Sequence, residues 1–239
     1  MHSCTPNAEH HWDLNSFTYE VRALRAIQKG EQIFITYLNT LNSRANRQNE
    51  LSLKYSFVCA CPSCSLPTNE SRRSDLCRSV LATASGKPDL SDEFALNAWI
   101  ADLSLPDDHV IKHSKKMVGL MEEEGLYVEN IWLIHYPRLC KAYCALQNLE
   151  AAREWANKTA IMNTAFLGND GGWNKVAAAP EKTNWWGLRA KTLNQNKVSF
   201  PFHVFQRQCM KYLLPLTITG AVHFILKIHS SSISCARVW

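Results

Sequence analysis

Three cysteines fall within six residues, Cys59-Ala60-Cys61-Pro62-Ser63-Cys64, and no other local feature constrains the fold as strongly. Two intervening residues let a chain turn tightly enough for Cys61 and Cys64 to aim their thiolates at one ion, and Cys59 adds a third sulfur. A structural zinc site takes four ligands, so a fourth must come from elsewhere in the sequence. Cys4, Cys77, His10 and His11 are the candidates. The start Met1-His2-Ser3-Cys4 has neither the basic nor the apolar run of a secretory signal, so the nine cysteines read as thiols or metal ligands rather than a disulfide framework. Redox chemistry through a CxxC pair would need a thioredoxin-like context, which the flanks lack.

Around this cluster the chain changes texture several times. Phe17 to Arg25 alternates, with Phe17, Tyr19, Val21 and Ala23 on one face, which predicts a half-buried strand. Gln28 to Glu31 is a turn and Gln32 to Tyr37 a second strand. Asn42 or Ser43 caps a polar helix reaching Tyr55, with Leu51 and Tyr55 four apart on one side. Residues 67–92 turn to Ser, Pro, Asn and Arg and read as a linker with one short helix, Arg72 and Arg73 being part of it. Residues 93–190 are helical. Val110, Ile111, Val118 and Met121 form an apolar stripe ending at the acidic run Glu122 to Glu124, read as a solvated helix end. Two further helices, 129–147 and 148–167, are close enough to pack antiparallel. This pair resembles a tetratricopeptide unit, which cannot bury its own face alone. Tyr127, Tyr136, Trp155, Trp185 and Trp186 are read as packing. Residues 191–239 form an atypical tail, a candidate for translated non-coding sequence. Its apolar run from Leu213 to Leu226 is shorter than a bilayer core and is interrupted by Pro215 and His223.

Charge excludes one function class. Net charge is +1 over residues 1–67, −3 over 68–168 and +7 over 169–239, so the part that carries the cysteines offers no basic face for nucleic acid. Neither direct nucleic-acid binding nor membrane insertion is expected.

His2-Ser3-Cys4-Thr5-Pro6-Asn7 resembles the Asn-His-Ser-Cys-x-Pro-Asn motif of SET-domain protein-lysine methyltransferases, and Gly30-Glu31-Gln32-Ile33 through Tyr37 resembles their Gly-Glu-x-Ile…Tyr motif. Arg22-Ala23 with Ile27 matches the strand leading in. Leu51, Tyr55 and Phe57, running into Cys59, Cys61 and Cys64, resemble the post-SET zinc segment. The helical remainder resembles the C-terminal region of the SET-and-MYND branch and its fungal relatives.

The resemblance implies an α+β fold: a small β-rich SET remnant over 1–38, a post-SET zinc segment over 39–66, then a TPR-like helical region. It implies S-adenosyl-L-methionine as methyl donor and a protein lysine, histone or non-histone, as acceptor, in nucleus or cytoplasm. Tyr37 matches the active-site tyrosine, where a phenol orients the amine for direct in-line transfer. His2 and Phe57 match cofactor-bordering positions and Tyr55 a position in the lysine channel. Cys4 matches the cysteine that completes the zinc site with Cys59, Cys61 and Cys64. Asn7 matches a position with a mainly structural role. The motif's leading Asn is Met1 here, and the family's Gly-x-Gly cofactor loop is not found in the sequence. The expectation is therefore an incomplete product with little or no activity alone. The alternative is a non-enzymatic zinc and helical-repeat module that captures a peptide or protein partner.

Overall fold

The computed structural model describes residues 1–14, 16–85 and 92–197, together with two short strands further on. Met1–Lys197 is one compact unit and Val198–Trp239 a second. Of the second unit, only β3 (Ile228–His229) and β4 (Ser232–Ile233), paired antiparallel, are described. The run from Leu213 to Leu226 lies outside the described residues.

The first unit opens with an antiparallel hairpin, β1 (Ala8–Asp13) and β2 (Thr18–Ala23), in the register Ala8↔Ala23 to Asp13↔Thr18. Among the described residues eight α-helices follow: α1 (Arg44–Tyr55), α2 (Thr68–Ser85), α3 (Asp92–Ala101), α4 (His109–Glu124), α5 (Glu129–Ala145), α6 (Leu149–Leu167), α7 (Trp173–Ala178) and α8 (Leu188–Lys197). The fold is α+β, mostly helical with a small two-stranded sheet.

The helices follow their stop and start signals. Ser43 caps α1, its Oγ accepting from Asn46 N–H at 3.3 Å, and Asn148 caps α6 by accepting from Ala151 N–H at 3.1 Å. Gly125 and Gly168 end α4 and α6 in the left-handed conformation, which glycine adopts without a Cβ penalty. Helix α5 is central: 12 of its 17 residues are buried. Ala142 and Ala145 on α5 and Ala152 and Ala156 on α6 are all fully buried small residues, which lets the two helices approach closely. Tyr136 meets Trp132 and Trp155 edge-on at 4.4 and 5.2 Å, so these aromatics are packing, as their positions predict.

Four expectations are corrected. First, the alternating face of β2 does not turn inward. Phe17, Tyr19 and Val21 are 76%, 53% and 51% exposed, while Glu20 and Arg22 are half-buried. The polar face wins because Arg22 reaches α6, where its Nη1 donates to Phe166 O at 3.4 Å, a cation at a helix C-terminus. The outward aromatics cover one another instead: His10 stacks on Tyr19 at 5.3 Å and Trp12 meets Phe17 at 5.9 Å.

Second, residues 32–37 form no strand. They make one parallel bridge, Ile35 with His2, because the side chain of Asn7 takes the backbone groups a ladder would use. Asn7 donates to Gln32 O at 2.9 Å and accepts from Phe34 N–H at 2.8 Å. Third, the stretch read as a linker with one short helix carries a long one, the 18-residue α2. Its polar composition hides a face carrying the buried Ser74, Arg78 and Leu81. Fourth, Glu124 is not solvated: it accepts from Ser74 Oγ at 2.5 Å and pairs with Arg78 at 3.4 Å.

Candidate metal centre and aromatic row

Residues 1–8 lie beside residues 31–37, held by Ser3 N–H to Ile35 O at 3.0 Å and Ile35 N–H to Met1 O at 2.9 Å. This places Cys4 under α1, at the loop that follows it. The four Sγ atoms of Cys4, Cys59, Cys61 and Cys64 lie within 4.8 Å of one another, with Cys4 and Cys64 at 3.6 Å. Zinc bound at 2.3 Å by four thiolates gives a tetrahedral edge of about 3.8 Å, so this donor set fits a structural zinc. His10, His11 and Cys77 are not in the cluster.

Without metal the thiols share protons unevenly. Hydrogen bonds from Cys4 and Cys64 hold Cys61 far below the ordinary thiol range. Hydrogen bonding to Cys61, with burial, drives Cys4 upward, and burial pushes Cys59 up to about 11.

The sequence reading missed what holds the loop. Gln48 on α1 clasps Cys59 from both sides, its Nε2 donating to Cys59 O at 2.7 Å and its Oε1 accepting from Cys59 N–H at 2.9 Å. Two fully buried arginines, Arg47 on α1 and Arg78 on α2, both donate to Ser63 Oγ, at 3.3 and 2.8 Å. Arg78 also donates to Thr40 O. Asp75 on α2 accepts from Arg44 N–H at 2.7 Å, so one helix caps the start of the other. The i, i+4 spacing of Arg47 and Leu51 was the available signal, since it puts a cation on the face of α1 that buries Leu51.

Next to the cysteines runs a row of rings. His2 lies 5.9 Å from Phe57 and 5.2 Å from Tyr37, and Tyr37 lies 5.2 Å from Tyr55. Tyr55 O–H donates to Tyr37 O at 3.4 Å. Burial lowers the pKa of His2 from its ordinary value. The row opens to solvent, Tyr37 being 37% and Tyr55 45% exposed. The four ring residues named from sequence, scattered over 56 positions, are thus brought together beside the four sulfurs.

Residues 1–38 match the SET domain family. The N-terminal part of the chain is similar to protein-lysine methyltransferases of the SET-and-MYND type and their fungal relatives. It is 43% identical over 72 residues to the human protein-lysine N-trimethyltransferase SMYD5, covering 29% of this chain and 17% of that protein. It is 38% identical over 82 residues to the histone-lysine N-methyltransferase set5 of Schizosaccharomyces pombe, covering 34% and 26%. A SET and MYND domain-containing protein of Dictyostelium discoideum is 41% identical over 63 residues, 26% of this chain and 15% of that protein. The matched stretch thus spans between about a seventh and a quarter of these relatives. No helix among the described residues is long and apolar enough to cross a membrane.

Proposed function

We propose that this chain belongs to the working part of an S-adenosyl-L-methionine-dependent protein-lysine N-methyltransferase, acting on a nuclear or cytoplasmic protein, histone or other. The observation that carries this is the convergence of His2, Tyr37, Tyr55 and Phe57 into one row beside the cysteine cluster, in a chain whose first 38 residues match the SET domain. S-adenosyl-L-methionine would supply the methyl group. His2 and Phe57 border it, Phe57 offering a flat apolar face and His2 its imidazole. Tyr37 orients the attacking amine through its phenol, and Tyr55 walls the approach of the lysine. An apolar aromatic wall also disfavours the ammonium form, helping the lysine shed its proton before attack.

Zinc on Cys4, Cys59, Cys61 and Cys64 would tie residues 1–8 to the loop after α1 and so fix the row. We read 1–38 as SET, 39–66 as post-SET, 67–92 as connecting sequence and 93–190 as a TPR-like region that offers a face to a protein partner. The row is open on one side, so we expect little or no methylation by this polypeptide alone.

Titration of the labelled chain with S-adenosyl-L-methionine, followed by NMR, tests the reading. The account expects saturable shifts at His2, Tyr37 and Phe57, abolished by Phe57→Ala and kept in the distant Trp12→Ala. A row that does not respond to millimolar cofactor, in a zinc-loaded folded chain, would favour a non-enzymatic zinc and helical-repeat module. Robust turnover on peptide arrays would contradict the expectation of low activity.

A further inference from the structure

His2 has two ring nitrogens, and the structure gives each a different neighbour. Nδ1 lies 3.2 Å from the backbone N of Tyr37, and Nε2 lies 3.5 Å from Cys4 Sγ. A backbone N–H can only donate, so Nδ1 is the accepting, unprotonated nitrogen. A neutral imidazole then carries its proton on Nε2, aimed at the sulfur. The main chain on both sides is fixed by the bridge between His2 and Ile35, and the ring stands between Tyr37 and Phe57. A ring flip would set carbon against both partners and lose both contacts.

We propose that His2 is a positioning residue that joins the metal site to the aromatic row, donating through Nε2–H to the Cys4 thiolate while accepting the Tyr37 N–H at Nδ1. This rests on the reading of the four cysteines as metal ligands. The bridge works in both directions. A metal-bound thiolate is a strong acceptor that holds the ring, and the ring holds the backbone of Tyr37 in register with Tyr55. In return, the N–H bond draws charge from the sulfur and orients the ligand, the role that outer partners play around metal sites. In this role His2 acts through Tyr37 and Cys4, in addition to bordering the cofactor.

The test uses the full chain loaded with cobalt(II), whose thiolate-to-metal charge-transfer band reads the sulfur directly. His2→Gln keeps an amide donor near the Nε2 position and loses the Nδ1 acceptor. His2→Asn keeps an acceptor near the Nδ1 position and loses the donor. The expected result is a band unchanged in His2→Gln and moved to longer wavelength in His2→Asn and His2→Ala. Metal affinity should fall about 10- to 100-fold in the latter two. The Tyr37 amide proton should follow the opposite order, shifting in His2→Gln and staying in His2→Asn. In the unmutated chain, nitrogen NMR should show the Nε2–H tautomer with metal bound, so the result does not depend on any variant folding. One cobalt per chain, with the band the same in all variants or an Nδ1–H tautomer, overturns the bridge and leaves the metal reading standing. Failure of the unmutated chain to bind tetrahedral cobalt overturns both.

Discussion

Ser63 Oγ accepts from two guanidiniums that have no access to solvent. Four thiolates on a divalent ion would leave a net charge of −2, which the two buried cations beside them would offset. Ser63→Ala leaves every sulfur in place but strips an acceptor from both arginines, and should cost about 1 to 3 kcal/mol in urea unfolding with metal content unchanged. A second residue reports on the helical core. His135 is buried, with Nδ1 3.2 Å from Ser114 Oγ, and burial, then the charges of Arg138 and His113, push its pKa down to about 3. In the unfolded chain the same ring titrates near 6.5, so between these values the unfolded state binds the extra proton and stability rises with pH. The contribution is complete above pH 6.5 and is lost as pH falls toward 3. At pH 5 the loss is about 1 to 2 kcal/mol. His135→Leu should flatten the dependence of Tm on pH between 5 and 7. The same slope in wild type and variant would refute this assignment.

At the scale of elements, legibility depended on what each segment buries. Helices α4, α5 and α6 were readable because an apolar stripe and a stop residue agree, as with Met121 followed by Gly125. Helix α2 was legible only as a short helix in a linker, because its inward face is built from Ser74 and Arg78, which composition counts as surface. The hairpin was half legible: its strand β2 lies where alternation put it, but the buried face is the polar one. Arg22 found a helix C-terminus, an attraction no local pattern encodes. The joint it forms is tight. Gly168 has φ of +78°, and a Cβ there would stand 2.6 Å from the Arg22 guanidinium. Gly168→Ala should therefore cost about 1 kcal/mol or more from the backbone alone, with further loss if Arg22 is displaced. Loss of protection at the β2 amides in hydrogen exchange would locate the damage. On the other side of the hairpin, Trp12→Thr with Tyr19→Thr should reduce dye binding to exposed aromatic surface and slow self-association in sedimentation. The helical core should be untouched.

Over the whole molecule, the candidate site was legible before its supports. The spacing of Cys59, Cys61 and Cys64 announced a cluster able to hold a metal, the motif around His2 pointed to Cys4, and the motif from Gly30 pointed to Tyr37. The clasp of Gln48 and the paired arginines depend on tertiary approach of α1 and α2, which neither motif nor period reveals. The assembled picture is of two distant segments, residues 1–8 and 55–64, that meet at four clustered sulfurs and at the His2 and Phe57 rings. The helical body is anchored to that junction through Arg78. If the metal organises this junction, removing any one sulfur should loosen both ends. Cys61→Ser should lower metal affinity by orders of magnitude and expose the remaining thiols to alkylation.

Native mass spectrometry of the purified full chain tests the junction most directly. The account predicts one zinc per chain, with Cys4, Cys59, Cys61 and Cys64 protected from iodoacetamide until a chelator is added, and with Cys4 becoming reactive together with the other three. A metal-free chain whose Cys4 is alkylated independently of Cys59, Cys61 and Cys64 would contradict it.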